Sequence, residues 1–128
     1  MEIFNIVVLS LSALLMTFVG FSRLSNPIKT YDKSSGIKID RAVDLLNEVR
    51  GLAAVMLCAG VLIGLGTFVP EMRFSSFVVA ILMYIGFAIG RLLSMGVDGK
   101  PNGKLVQGLG FELVLGGLNA FCLVYALV

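Results

Sequence analysis

The 128-residue chain contains no histidine, so the commonest metal ligand and the usual general base are both missing. Charge is scarce too: 14% of residues are charged and 58% are hydrophobic. Soluble domains usually carry about 25% charged residues. The mean hydropathy is +0.99, and the apolar runs approach the roughly 20 residues that a membrane-spanning helix needs. An integral membrane protein follows, not a soluble core. A net charge of +2 is too small to suggest nucleic acid, and no basic block is interleaved with aromatics. There is no Gly-rich phosphate loop, no Cys–Cys metal spacing and no nucleophile–base pair. The reading therefore implies no metal, no cofactor and no nucleic-acid partner.

The only two cysteines, Cys58 and Cys122, both lie within apolar runs. In helices that rise about 1.5 Å per residue their sulfurs sit at different depths, roughly 10 Å apart. The expectation is two buried packing thiols and no disulfide.

Four spans make up the rest: residues 3–21, 49–69, 74–93 and 105–128, within one membrane domain covering 1–128. A cleaved signal peptide does not account for the first. Glu2 precedes it without any Lys or Arg, the apolar region is too long, and no small-x-small site follows. Pro70 stops the second span, since it cannot donate to a helix and clashes with the preceding turn. "PEMR" is short enough to force a hairpin into the third. "SMGVDGKPNGK" reads as a loop. The long connection, about 22–48, begins with an irregular half, "SRLSNPIKTYDKSSG". Its second half, "DRAVDLLNEVRG", has apolar residues at 42, 45, 46 and 49, one helical face. With Asp40 as N-cap, this half reads as an amphipathic segment that runs on into the second span. The predicted fold class is all-α, an integral membrane four-helix bundle.

Glu112 lies inside an apolar stretch, about seven residues or roughly 10 Å into the last span. A charge there costs on the order of 3 kcal/mol even on lenient insertion scales, so it faces the bundle interior and finds partners. Gly108, Gly116, Asn119 and Ala120 share its face, a small and polar seam. Arg91 ends the third span at the same level, one turn beyond Gly86-x-x-x-Gly90, which reads as a second close-packing stripe. Tyr84 shares a face with Arg91, two turns deeper. Glu48 and Arg50 open the second span, and Asp98 follows the third. Arginine suits such a cluster because its planar fork satisfies a carboxylate with two hydrogen bonds. The candidate ligand-binding residues are therefore Glu112, Arg91, Arg50, Glu48, Asp98, Tyr84 and Asn119. Three readings stay open for Glu112: a structural pair with Arg91, a ligand site that uses this pair, or a lone protonated carboxylate. Glu48, Arg50 and Asp98 also fit the role of interfacial anchors. Close-packing surfaces are expected at Gly60-x-x-x-Gly64 and along Ser10, Ala13, Thr17 and Gly20.

At "NEVRGLAAVMLCAG", "IGRLLSMGVDGKP" and "GFELVLGGLNAF" the chain resembles a family of small bacterial membrane proteins, domain-of-unknown-function family 4345. The family pattern falls here on Glu48, Arg50 and Gly51; on Gly90, Arg91, Ser94, Asp98, Gly99 and Pro101; and on Glu112 and Leu113. The resemblance implies a four-helix membrane protein and carries no activity with it. A fainter architectural likeness links the chain to DoxX-like bundles and to sterol-isomerase-type four-helix proteins. The sequence alone favours a non-enzymatic role: recognition of a membrane lipid or small amphiphile at the polar cluster. An accessory or assembly subunit, packed against a membrane-protein partner or another copy of itself, is the second reading. An isomerase-like membrane enzyme with Glu112 as acid or base is the third.

Nine of the ten basic residues flank the first and third connections, and only Arg73 lies on the opposite side. The positive-inside bias thus predicts a multi-pass protein of the cell inner membrane with the long connection in the cytoplasm and both termini outside. In a Cys58- and Cys122-free background, Ser34→Cys should be shielded from a membrane-impermeant thiol reagent in whole cells, while Glu71→Cys should react. The reverse labelling pattern contradicts this orientation.

Overall fold

Apolar side chains cover the outside of the molecule. In the computed structural model, which describes residues 1–128, only 25 residues are buried. Leu14, Phe18, Phe68, Leu82 and Leu93 are among the many large apolar residues left exposed. In water such a surface would aggregate; against lipid it is the expected exterior. Four helices are long and apolar enough to cross a membrane, and the chain is a multi-pass membrane protein.

The elements are α1 (Glu2–Ser25), α2 (Pro27–Thr30), a π-helical turn (Tyr31–Ser35), α3 (Val43–Phe68), a 3₁₀ turn (Pro70–Met72), α4 (Arg73–Val97) and α5 (Gly103–Leu127). There are no strands, and the all-α four-helix architecture is as predicted. In lipid this is forced, because a backbone with no water nearby must satisfy its own polar groups. Packing runs α1 on α3, α3 on α4 and α4 on α5, with a sparser seam between α1 and α5.

Small residues bring α1 and α3 together. A Cβ added at Gly20 would stand 2.6 Å from the backbone nitrogen of Leu57, and one at Gly60 would stand 2.7 Å from that of Thr17. This seam is the one expected from the Ser10–Gly20 face and Gly60, and Gly64 meets Ala13 at ordinary contact distance. At the hairpin between α3 and α4, a Cβ at Gly66 would collide with Ser76. The Ser76 hydroxyl donates to the Leu62 carbonyl at 2.9 Å, and Arg73 Nε donates to the Gly66 carbonyl at 3.1 Å. That end is tight.

Halfway down, three buried polar side chains link three helices. Tyr84 donates its hydroxyl to the Ser12 carbonyl at 2.6 Å, and Asn119 Nδ2 donates to Ser12 Oγ at 2.8 Å. Around them Val8, Leu9, Met56, Ile63, Phe77, Leu115 and Cys122 form the core.

Several local expectations are corrected. The first half of the long connection is not irregular: α1 continues to Ser25, and Pro27, at the first turn of α2, starts a further helical stretch to Ser35. Asp40 is not the N-cap, because α3 begins at Val43 after Ala42, whose side chain caps nothing. Helix α4 extends through Ser94–Val97, which leaves a loop only at 98–102. Cys58 is exposed, so only Cys122 is a buried thiol, and both are free. Gly86, Gly90 and Gly108 are not packing seams, since a Cβ at any of them meets nothing within 4 Å. Of the expected last-span stripe, Gly116 alone among the glycines is pressed, against Ile85 and Tyr84.

Alanine favours helix over glycine by up to about 1 kcal/mol, while overpacking costs roughly 1–3 kcal/mol. Gly20→Ala meets backbone, which cannot rotate aside, and should lower the thermal midpoint in detergent. Gly90→Ala should leave the midpoint unchanged or raise it. Equal loss in both variants would show that the α4 glycine faces a packed neighbour after all.

Candidate functional site

The helices part at the end that carries the long connection and residues 98–102, called the basic end below. Above the tight hairpin, α3 and α4 diverge and leave a cavity of about 600 Å³ lined in part by Leu52, Val55, Leu82, Gly86 and Gly90. A second cavity of about 240 Å³ lies where α1 and α5 separate, between residues such as Phe18, Val19, Gly108 and Phe111. Phe18 and Phe111 are exposed on its lipid-facing side. Gly86, Gly90 and Gly108, which the sequence suggested as seams, are thus cavity walls, because only a hydrogen stands there. The two cavities share Arg23, Ser35, Phe87, Arg91 and Leu105, so they meet at one polar centre.

At that centre Arg91 Nε donates to Glu112 Oε1 at 2.8 Å. The pair joins α4 to α5, and its side chains are 24% and 13% exposed. Glu112 therefore points into the bundle and has the partner expected of it. Arg91 uses only its Nε in this bond.

Arg23 is the residue that sequence reasoning missed. It occupies the last turn of α1 and is only 9% exposed. Its guanidinium lies over the Tyr31 ring at 4.5 Å from the centroid, a cation–π arrangement. Nη2 stands 3.5 Å from Ser35 Oγ and Nη1 is 3.9 Å from Met56 Sδ. Arg91 and Glu112 line the smaller cavity together with it. In the sequence it looked like one more basic flank of a span. The available signal was its spacing: Ser12, Met16, Gly20 and Arg23 continue one buried stripe at steps of four, four and three.

The connection forms a roof over this centre. The Thr30 hydroxyl donates to the Ser22 carbonyl at 2.9 Å, which folds the chain back on α1. Gly36, at φ 66°, takes the left-handed conformation that ends the π-helical turn. Asn102 then ties roof to bundle: its Nδ2 donates to the Ser35 carbonyl at 2.9 Å while its Oδ1 caps α5 at Leu105 N, 3.0 Å away. Lys104 Nζ adds a bond to the Lys33 carbonyl at 2.8 Å. Ser35 is buried under this roof.

The other candidate residues are placed elsewhere or do other work. Tyr84 lines the deep end of the smaller cavity, although its hydroxyl is engaged in the core. Asn119 lines neither cavity and belongs to the core network. Arg50 donates to the Leu24 carbonyl, fastening the start of α3 to the end of α1. Its charge there also suits the negative end of the α1 macrodipole. Glu48 is exposed, with neither cavity beside it. Asp98 is exposed and accepts a bond from its own helix, Ser94 Oγ at 2.9 Å. Of the five charged residues predicted to converge, only Arg91 and Glu112 meet: Glu48 and Asp98 lie exposed at helix ends, and Arg50 is engaged by the Leu24 carbonyl.

No curated protein and no solved structure matches the chain. The family described as "Domain of unknown function (DUF4345)" matches over residues 4–123. With nearly its whole length covered, the chain belongs to the DUF4345 family.

Proposed function

We propose that this protein binds a lipid or small amphiphile, with the polar head at the Arg91–Glu112 pair and the apolar part in the adjoining cavities. One observation carries this reading: a polar centre inside a membrane bundle opens into two largely apolar clefts between helices. The larger, about 600 Å³, falls within the range of roughly 300–1,000 Å³ usual for small-molecule sites. A structural ion pair alone needs no such space around it. The basic bias supports a reading in which this end of the bundle lies at the cytoplasmic face of a bacterial inner membrane.

A second reading, an accessory subunit, draws support from Gly110 and Gly117. Both are exposed on α5 with nothing within 4 Å of an added Cβ, a smooth surface that a partner helix can approach closely. The enzymatic reading is less favoured, since Glu112 Oε1 is held by Arg91.

Native mass spectrometry after extraction in a neutral detergent tests the proposal. The wild-type chain should retain an amphiphile, and Gly90→Trp, which fills the larger cavity from a position with room for it, should reduce the bound fraction at least about tenfold. Wild-type protein without bound amphiphile, or a Gly90→Trp variant that retains it undiminished, contradicts the reading.

A further inference from the structure

The charged side chains lining the two cavities are Arg23, Arg91, Lys104 and Glu112. Three cations thus face a single carboxylate, and Glu48 and Asp98, which would even the balance, point elsewhere. Lys104 is exposed and bonded to the Lys33 carbonyl at the rim. Glu112 is engaged by Arg91. Arg23 remains, more than nine-tenths buried and without an anionic partner.

Nothing that bonds to or stacks on the Arg23 guanidinium carries a charge, and Glu112, the one carboxylate lining these cavities, is bonded to Arg91. An aromatic face covers the Arg23 guanidinium, a thioether sulfur stands at 3.9 Å, and a hydroxyl lies at the outer limit of hydrogen bonding, 3.5 Å. Its Nε is buried with no partner at all. A buried cation in apolar walls is retained in folded proteins when something pairs with it. Arg23 lines both cavities at the point where they join, and Arg91 beside it has both Nη groups free of protein partners. Stacking on Tyr31 fixes the plane of the Arg23 fork without occupying its donors. Two planar forks with free N–H groups form a receptor for an oxyanion, which accepts such bonds two at a time.

We infer that the head of the bound amphiphile is an oxyanion, a carboxylate or phosphate, received by Arg23 with Arg91 as the second donor. Glu112 then acts as a positioning residue that holds Arg91 in place. The inference rests on the amphiphile-binding reading above and deepens it. A head without an oxyanion leaves Arg23 unpaired, whereas a carboxylate or phosphate balances it.

The test uses the full chain in dodecyl maltoside and three probes: oleate, oleyl alcohol and acetate. The first has tail and anion, the second tail alone, the third anion alone. Oleate should bind at least about tenfold more tightly than oleyl alcohol, the worth of a charge-assisted hydrogen bond. Arg23→Gln should bring oleate down to the oleyl alcohol level, and Arg23→Lys should retain part of the preference. Should Arg23→Gln fail to fold, the wild-type comparison of oleate with oleyl alcohol decides alone. Equal binding of the two, or a preference undiminished in a folded Arg23→Gln, overturns the oxyanion assignment while the amphiphile reading stands. Binding of neither overturns both. Acetate that displaces oleate at equal concentration keeps the oxyanion site but assigns it to a water-borne anion, which removes the amphiphile reading.

Discussion

The ion pair between Arg91 and Glu112 is the one salt bridge across helices at the basic end, and the α4–α5 architecture there depends on it. Elsewhere the bundle is held chiefly by shape and by hydrogen bonds such as those of Tyr84 and Asn119 to Ser12. Gly20 and Gly60 let α1 and α3 touch backbone to backbone, and Gly66 seats Ser76 at the hairpin. Lipid offers no hydrophobic drive between helices, so van der Waals fit and interhelical hydrogen bonds must supply the association. Toward the basic end that fit survives only between α1 and α3, at Gly20. The α3–α4 and α1–α5 pairs diverge, and Arg91–Glu112 keeps α4 against α5 while its neighbours move apart.

This division explains why one end is dense and the other hollow. The Ser12–Tyr84–Asn119 network pins α1, α4 and α5 at mid-depth. Beyond it, glycines at 86, 90 and 108 supply no side chains to fill the space between the helices. The roof closes the hollow from above through Asn102 and Lys104, while the clefts stay open at the sides. A ligand arriving from the lipid therefore meets apolar walls first and the guanidinium groups last. Such an order suits an amphiphile that enters sideways.

Much of this was legible in the sequence for plain reasons. Four apolar runs separated by Pro, Gly and charge can form little else in lipid. Glu112 stood out because a carboxylate in an apolar run needs a partner, and Arg91 at the matching depth was the natural one. The failures have physical causes too. A Gly-x-x-x-Gly pattern records that side chains are missing, not whether a helix fills the gap; Gly60 is covered and Gly90 is not. Helix ends diverge, so Glu48, Asp98 and Arg50 share a level with the pair without sharing its centre. Hydropathy does not report the burial of Arg23, because the roof that covers it is polar in sequence. Only the stripe through Ser12, Met16 and Gly20 pointed to its face.

The most direct measurement of the central claim is a double-mutant cycle on the pair, with unfolding free energy in detergent as the readout. Arg91→Leu and Glu112→Leu should each destabilise the bundle, since each leaves one charge without its partner. The double variant should recover much of the loss, with a coupling energy of at least about 1 kcal/mol, inside the range of roughly 0.5–3 kcal/mol found for residues in contact. Losses that simply add, within about 0.3–0.5 kcal/mol, would show that the two side chains do not act on each other. The polar centre described here would then lack the bond that organises it.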